Sequence, residues 1–301
     1  MKRIIITAGD PLGIGPEVTV KALKELRNKN VKITVIGDKA SLLAAGWQGG
    51  LGALIAIKSK YSKPKRHDYG KWGGDISFKA LKLAVDMMLR GDAAALVTAP
   101  ISKKAWSTAG IKFTGHTEVL RRYASKDGGA LMMFTDGKIN CALVSEHYAI
   151  KDLSKIITKE RIKNSAKIFA EMIGKKTEIA ISALNPHCGD GGKIGGEEIT
   201  TIIPALKELK KEGFNISGPY PIDALWQKIS SGKLCNALFM YHDAAICGLK
   251  LAAKKPIVHI TAGLKFLRVS PTHGTAFDIA GKNIADASSM LAAIRYATSK
   301  I

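Results

Sequence analysis

The chain has 301 residues, 46% of them hydrophobic, which is enough to bury the core of one large domain or of two ordinary ones. It contains no run of about 18 uncharged apolar residues and opens without a hydrophobic leader, so we expect a cytoplasmic protein with no membrane span. Its four cysteines form no CxxC pair and should be reduced thiols. This composition argues against a membrane protein and against a disulfide-stapled secreted domain.

Net charge is the unusual property of this composition. The chain carries 46 lysines and arginines against 25 aspartates and glutamates, for a formal net charge of +21. Such a charge suits nucleic acid, an anionic membrane or a phosphorylated small substrate. The lysines are scattered, without a basic–aromatic repeat or a known nucleic-acid motif. We therefore favour a solvated basic surface and keep nucleic-acid binding as an alternative, which predicts an affinity that falls steeply with salt.

The first third of the chain alternates apolar strands with amphipathic helices. Arg3 to Thr7 and Lys32 to Ile36 are predicted to be buried strands, and Pro16 suits the first position of a helix between them. Apolar residues between 78 and 88 lie on one helical face, and a strand is predicted over 94–98. Alternating strands and helices predict an α/β fold with a largely parallel, doubly wound sheet.

The remaining elements are less regular. The segment 58–74 is polar, basic and rich in Gly and Pro, and is predicted to be a surface excursion. Residues 132–134 and 141–144 are predicted to be paired strands around a turn, and Thr158 to be the N-cap of a helix. Pro204 is expected to kink a helix that begins near residue 197.

Three apolar segments each end in a histidine. CALVSEH ends at His147, IAISALNPH at His187, and the run that leads into MYHD ends at His242. In open α/β folds ligands bind beyond the carboxyl ends of the strands, so these imidazoles are candidate ligands of a divalent metal, with Asp243 and Asp223 as partners that orient them. Each histidine could instead be a structural residue. A three-histidine site could activate water for hydrolysis or stabilise an alkoxide during loss of hydride.

Two further loops carry polar residues in patterns typical of ligand sites. FTGHTE places His116 and Thr117 at the start of a predicted helix, where free backbone N–H groups can hold an anion. THGTAFDIAGKN, which ends at Asn283, is a small-residue loop with His273 and Asp278 and is a candidate cofactor site. The glycines of TAGDPLGIGPE have neither the GxGxxG nor the P-loop spacing.

Six segments of the chain resemble, in the same order, motifs of the 4-hydroxythreonine-4-phosphate dehydrogenase family of pyridoxal phosphate synthesis. They are TAGDPLGIGPE, VTAPISK, FTGHTE, LNPHCGDGGKIGGEE, MYHD and HGTAFDIAG. This resemblance spans nearly the whole chain. It implies a two-domain α/β/α fold like that of isocitrate and isopropylmalate dehydrogenases, with the active site in the cleft between domains. The expected domains are 1–112 with 256–301 on the cofactor side, and 113–255 with the metal histidines and the dimer interface.

The resemblance also implies roles for individual residues. The divalent metal (Zn, Co or Mg) would be held by His147, His187 and His242, which together with Lys250 are the expected catalytic residues. The substrate would be bound by His116, Thr117, Lys250, His259 and Arg268. The cofactor, NAD or NADP, would be bound by His273, Gly274, Thr275, Asp278 and Asn283. The family implies a homodimer with a shared active site, a small phosphorylated substrate, and no membrane partner.

The implied reaction oxidises 4-phosphooxy-L-threonine with NAD(P) to a β-keto acid, which decarboxylates to 3-amino-2-oxopropyl phosphate in pyridoxal 5'-phosphate biosynthesis. The chain departs from the family pattern at several positions, one of which is the loss of a Pro from the segment that ends at Lys250. His259 stands where the family usually has Asn, and Ala244, Val269 and Thr272 replace a Gln, a Thr and an Asp. These departures favour an alternative, a paralogue that oxidises erythronate or threonate 4-phosphate. A metallohydrolase and an inactive paralogue are further alternatives.

Overall fold

A computed structural model describes residues 2–26, 30–63, 70–126 and 129–301. The chain folds as an α/β protein with two compact units, Met1–Gly129 with Val258–Ile301 (unit 1) and Ala130–Ile257 (unit 2). Within the described residues, no helix is both long enough and apolar enough to cross a membrane. All four cysteines have free thiols.

The described elements follow in chain order. The strands are β1 (Arg3–Thr7), β2 (Lys32–Gly37), β3 (Ala53–Ala56), β4 (Ala95–Thr98), β5 (Leu131–Thr135), β6 (Asn140–Leu143), β7 (Ile179–Ser182), β8 (Ile216–Tyr220), β9 (Asn236–Phe239), β10 (Val258–Ala262) and β11 (Leu267–Pro271). The helices are α1 (Gly15–Glu25), α2 (Lys39–Ala44), α3 (Lys71–Leu89), α4 (Lys103–Thr108), α5 (His116–Ala124), α6 (Leu153–Ile156), α7 (Lys159–Ile173), α8 (Ile203–Lys211), α9 (Ile222–Ser230), α10 (His242–Ala252) and α11 (Ser288–Ser299).

The sheet of unit 1 has the strand order β3-β2-β1-β4-β11-β10. Its strands are parallel except for β10, which is antiparallel to β11. The predicted strands and the helix at Pro16 are confirmed, because Ile4, Ile5 and Ile6 are fully buried and Pro16 lies in the first turn of α1. The parallel register brings the carboxyl ends of β1 and β4 to one edge of the sheet.

The prediction of a surface excursion over 58–74 is wrong at its C-terminal end. Helix α3 begins at Lys71, and its first turns bury Trp72 and Ile76 against Leu12. Burial of these large apolar side chains outweighs the loop-like composition around them. Residues 64–69 of the excursion lie outside the described part of the chain.

The sheet of unit 2 has the strand order β5-β6-β9-β7-β8. The predicted hairpin of β5 and β6 is confirmed, and the carboxylate of Asp136 accepts hydrogen bonds from the backbone N–H groups of Lys138 and Ile139 in its turn. Strands β6, β9, β7 and β8 are parallel. Thr158 caps α7 as predicted, through a hydrogen bond from Arg161.

The helix predicted to begin near residue 197 is confirmed, and Pro204 lies inside it, directly after an irregular turn. A π-helical turn over Glu198–Ile202 precedes α8, in which the proline lies in the first turn. A proline inside a helix has no N–H for the carbonyl oxygen four residues earlier, and the wider π turn before it accommodates that missing hydrogen bond.

Helix α5 belongs to unit 1, although a division after residue 112 places it with the other domain. The chain that follows α5 is bonded to the turn between β10 and β11, where Lys126 N donates to Gly263 O (2.8 Å) and Lys265 N donates to Ala124 O (2.9 Å). These hydrogen bonds attach the helix to unit 1.

Candidate functional site

The three strand-end histidines follow neighbouring strands of unit 2. His147, His187 and His242 come shortly after β6, β7 and β9, and β9 lies between the other two strands in the sheet. Because these strands are parallel, their carboxyl ends meet at one edge of the sheet. The fold thus brings all three histidines to the same edge.

Two of the three imidazoles are adjacent. The ring centroids of His147 and His242 are 5.3 Å apart. The carboxylate of Asp243 lies 2.7 Å from His242 Nδ1, and because a carboxylate only accepts, the ring proton is on Nδ1 and the Nε2 lone pair is left for a ligand. Within the described ranges, no three His, Cys, Asp or Glu side chains are close enough together to hold a metal ion. The described part of one chain therefore presents a pair and not a triad.

The third histidine lies in a strained turn. His187, Cys188 and Asp190 all have left-handed backbone conformations, with φ of 51°, 55° and 44°. Buried Glu198 anchors the preceding residues, since its carboxylate accepts from Leu184 N and Asn185 N, each at 2.8 Å. Non-glycine residues in this conformation persist only where the surroundings hold them, and such strain is common at functional sites.

A buried cation organises the predicted substrate site of unit 1. Arg268 on β11 is 2% exposed, and its guanidinium donates to Thr261 Oγ1 (2.8 Å) and Thr98 Oγ1 (2.6 Å). Its Nε is buried and has no hydrogen-bond partner in the described part of the chain. The partners of its other nitrogens there, Thr98, Thr261 and His259, are neutral. Burial lowers the pKa of Arg268 to about 9, so the group is still cationic at neutral pH. A buried cation of this kind strongly favours an anionic ligand.

His116 belongs to the same cluster. It is the first residue of α5, with its ring against Trp106 at a centroid distance of 5.9 Å. Burial, the charge of Arg268 and the neighbouring His259 lower the pKa of His116 well below the usual histidine value. The ring is therefore neutral at pH 7, and its buried Nε2 lacks a hydrogen-bond partner among the described residues. Neutral His116 can exchange a hydrogen bond with an uncharged substrate group.

His259 contacts the guanidinium directly. Arg268 Nη1 lies 3.2 Å and Ser270 Oγ 3.1 Å from its Nδ1. Because a guanidinium can only donate, Nδ1 is the acceptor and a neutral ring carries its proton on Nε2. His259 therefore presents a donor, whereas an asparagine would present both a donor and an acceptor.

The other predicted substrate residues have fewer contacts. Thr117 is half-buried at the start of α5. Lys250 is exposed near the end of α10 and belongs to unit 2, whereas Arg268 belongs to unit 1. The structure therefore brings His116, His259 and Arg268 together, and Lys250 stays a prediction.

The predicted cofactor residues lie in one irregular loop of unit 1, residues 273–285, which we call the cofactor loop. Ile14 N donates to Thr275 O (2.9 Å), and a Cβ at Gly13 would lie 2.7 Å from the same oxygen, so glycine is required for this approach. Asn283 lines a cavity of about 490 Å³, together with the basic side chains of Lys21, Lys24 and Lys63.

Two other predicted cofactor residues, His273 and Asp278, lie earlier in the same loop. His273 Nδ1 lies 3.1 Å from the carbonyl oxygen of Gly274, and Asp278 is exposed. Neither His273 nor Asp278 lines the cavity. A cavity beside a loop of small residues has room for part of a dinucleotide.

Sequence analysis missed the residues that hold these groups in place. Thr98 and Thr261 bond to Arg268, and Glu17 and Lys21 bond to the cofactor loop. Thr98 lies within VTAPISK and Glu17 within TAGDPLGIGPE, so the motifs contained part of the signal. Their partners are far away in the chain, and no local pattern identifies them.

Comparison with known proteins gives a consistent result over the whole chain. The model of a family described as "Pyridoxal phosphate biosynthetic protein PdxA" matches residues 15–297. The chain is 37% identical to a 4-hydroxythreonine-4-phosphate dehydrogenase from Sulfurihydrogenibium sp. (strain YO3AOP1), over 99% of this chain and 98% of that protein. It is 34% identical to a D-threonate 4-phosphate dehydrogenase from Salmonella typhimurium, over 98% of each.

A solved structure shows the same fold. The 4-hydroxythreonine-4-phosphate dehydrogenase from Klebsiella pneumoniae superposes with a TM-score of 0.86, at 30% sequence identity and with 99% of each chain covered.

Proposed function

Because this chain belongs to the PdxA family of pyridoxal phosphate biosynthetic proteins, we propose that it is a 4-hydroxythreonine-4-phosphate dehydrogenase. The reaction oxidises the secondary alcohol of 4-phosphooxy-L-threonine to a β-keto acid, which loses carbon dioxide to give 3-amino-2-oxopropyl phosphate. The observation that carries the proposal is the buried guanidinium of Arg268, whose described partners are all neutral. A cation in that environment favours an anionic ligand, and the substrate has both a phosphate and a carboxylate.

The residues around Arg268 would bind and orient the substrate. Thr98 and Thr261 restrict the guanidinium to one orientation, so little side-chain entropy is lost when an anion binds. Neutral His116 can hold or accept a proton near the reacting alcohol, and burial keeps it uncharged. We propose that Lys250 and Thr117 complete the set of substrate contacts.

A divalent metal fits the strand-end histidines. The paired rings of His147 and His242 would provide two imidazole donors, and the proton that Asp243 holds on His242 Nδ1 leaves the Nε2 of that ring for a metal. His187 would be the third ligand. Since the described residues of one chain present only a pair, the proposal includes a homodimer in which a second subunit contributes to the site. When bound, the metal would stabilise negative charge on the oxygen of the substrate alcohol. Imidazole ligands suit Zn or Co better than Mg.

The nicotinamide cofactor, NAD or NADP, would bind at the cofactor loop and accept the hydride. The close approach of Gly13 to Thr275 and the cavity beside Asn283 support this location. His273, Gly274 and Asp278 would be its further contacts. We propose that the enzyme acts in the cytoplasm.

A second candidate activity is the oxidation of threonate or erythronate 4-phosphate. It is supported by the similarity to the D-threonate 4-phosphate dehydrogenase, which is nearly as high as that to the threonine-phosphate enzymes. It is also supported by His259, which presents a donor where an asparagine presents a donor and an acceptor. An amino acid and a sugar acid differ in one polar group, which such a change can discriminate.

The decisive experiment measures NADH or NADPH formation by the purified protein with added divalent metal. The substrates are 4-phosphooxy-L-threonine, D-threonate 4-phosphate and D-erythronate 4-phosphate, each tested separately. Turnover of the amino acid above both sugar acids supports the first proposal, and turnover of a sugar acid alone contradicts it in favour of the second. Release of a hydrolytic product without NAD(P)H would support a metallohydrolase.

A further inference from the structure

We propose that Glu17 and Lys21 are positioning residues for the cofactor, because they clamp the end of the cofactor loop to helix α1. The inference rests on the proposed function, which assigns this loop to NAD(P). It concerns residues that act through the loop and not through direct chemistry.

The cofactor loop has little structure of its own. It connects β11 to α11, and its internal backbone hydrogen bonds are Ile279 N to Ala276 O and Lys282 N to Ile279 O, both at 3.2 Å. Ala276 and Asn283 have left-handed backbones, with φ of 40° and 57°. Non-glycine residues disfavour this conformation, so surrounding contacts have to hold the loop in shape.

Helix α1 supplies such contacts at the end of the loop. Lys21 Nζ donates to the carbonyl oxygens of Asn283 and Ala285, each at 3.0 Å. Ala285 N donates to Glu17 Oε1 at 2.8 Å. Asn283, one of the two strained residues, is thus bonded directly to the clamp.

The clamp is closed by an ion pair within α1. Lys21 Nζ also donates to Glu17 Oε1 at 2.8 Å, and Glu17 is 6% exposed. The ammonium group has three N–H donors, and Glu17, Asn283 and Ala285 are three acceptors, so its donor capacity is fully used. A lysine in this state is committed to holding the loop and has no donor left for a phosphate.

The position of the clamp connects it with nucleotide binding. Glu17, Lys21 and Asn283 all line the cavity of about 490 Å³. Loosening the clamp would release Asn283 from the wall of that cavity and give the loop other conformations. The nucleotide would then have to order the loop when it binds, which weakens its affinity without changing the substrate cluster around Arg268.

The test compares the full-length protein with Lys21→Met, Lys21→Arg and Glu17→Gln. The matched control is Lys82→Met, which breaks an exposed i,i+4 ion pair with Asp86 on α3, away from the loop. Three quantities are measured on each protein: hydrogen exchange of residues 273–285 without ligand, the Kd of NAD⁺ and NADP⁺ by calorimetry, and KM and kcat with the preferred substrate.

For Lys21→Met we expect faster exchange in the loop and a rise of about tenfold in the nucleotide Kd and KM, the effect of losing about one or two net hydrogen bonds. The substrate KM should stay within about twofold, because Arg268 is untouched. Lys21→Arg should recover most of the affinity, and the control should match the wild type.

Each other outcome overturns the proposal in a recognisable way. Unchanged exchange in Lys21→Met means that the clamp does not hold the loop. Faster exchange with unchanged nucleotide affinity means that the loop conformation does not govern binding, and leaves the proposed function intact. Equal losses in kcat, substrate KM and nucleotide KM indicate a general structural role. Absence of nucleotide binding by the wild type itself refutes the assigned cofactor, and the clamp proposal with it.

Discussion

The two candidate sites of this protein differ in how much of their arrangement the chain itself provides. In unit 1, Arg268 is buried and bonded to Thr98 and Thr261, so the substrate cluster has one defined geometry before a ligand arrives. In unit 2, His147 and His187 are exposed in the single chain, and the described residues form no complete metal site. The first site is therefore organised by folding, whereas the proposed metal site would need a ligand from outside the described part of one chain.

The largest expected effect is the loss of the metal. Replacement of His242 by Ala, or removal of metal by a chelator, should lower turnover by more than about a hundredfold, because charge on the substrate oxygen is no longer stabilised. The melting temperature should change by less than about 2 °C, since the side chain of His242 is only partly buried. Activity, metal content by mass spectrometry and thermal unfolding measure these effects.

A replacement that leaves full activity with one metal per subunit would show that His242 is not a ligand. A large fall in melting temperature on chelation would show that the metal stabilises the fold itself. The contrast between the two sites would then be wrong. Lys82→Met, at an exposed position on α3, is the control for handling and purity.

The second effect concerns the preorganised cluster. Arg268→Gln should raise the KM of the phosphorylated substrate between about tenfold and a hundredfold, because a charge-assisted hydrogen bond is worth about 1.5–3 kcal/mol. The nucleotide KM should change little. Steady-state kinetics with each ligand varied in turn give both values.

Arg295→Gln is the matched control, since Arg295 is exposed on α11. It should have wild-type kinetics. An unchanged substrate KM in Arg268→Gln would mean that the buried cation serves the fold alone, and the proposed substrate site would have to be abandoned.

A smaller effect is expected at His259. His259→Asn exchanges a ring that donates through Nε2 for an amide that can donate and accept. We expect the ratio of kcat/KM for 4-phosphooxy-L-threonine over threonate 4-phosphate to rise by about threefold to tenfold, the range of one altered polar contact. An unchanged ratio would show that this position does not discriminate the two substrates.

The smallest effect concerns Asp10 in unit 1, whose buried carboxyl group should lower the free energy of unfolding when it is ionised. Asp10 is fully buried, its Oδ1 accepts from Leu12 N (3.0 Å), and its Oδ2 is buried without a hydrogen-bond partner in the described ranges. Burial raises the pKa of Asp10 to about 6. Because the folded pKa lies above the unfolded one, the carboxyl group favours the folded state at low pH, and this contribution is lost as the pH rises through about 6.

Asp10→Asn should therefore be more stable than the wild type at pH 8, by at most about 2–3 kcal/mol, and the difference should shrink as the pH falls from about 6 to about 4. Thermal unfolding of both proteins across this range measures it. A difference that is constant with pH would mean that Asp10 does not titrate in this window.

Local patterns predicted the elements that carry the histidines. The apolar runs before His147, His187 and His242 became β6, β7 and β9, because a buried strand needs little more than a short apolar run with a polar end. The start of α3 was not predictable in the same way. Gly70, Gly73 and Gly74 give that stretch the composition of a loop, whereas the helix is stabilised by tertiary packing such as that of Trp72 on Leu12.

Local sequence patterns also did not predict the hydrogen-bond partners of the site residues. Motif resemblance indicated Arg268, but its neutral partners Thr98 and Thr261 come from two other strands. Glu17 lies within TAGDPLGIGPE, and no local pattern there indicates its bond to Ala285, which joins positions far apart in the chain.

The amino-acid sequence by itself determined the fold class, the strands and helices with strong periodicity, and the residue types available for metal, anion and nucleotide binding. These follow from side-chain polarity and spacing, which act over a few residues. The tertiary structure decided that β9 lies between β6 and β7, that the guanidinium of Arg268 is buried among neutral groups, and that Lys21 holds the cofactor loop. Those arrangements depend on contacts between distant segments, which exist only once the sheets have formed and excluded water.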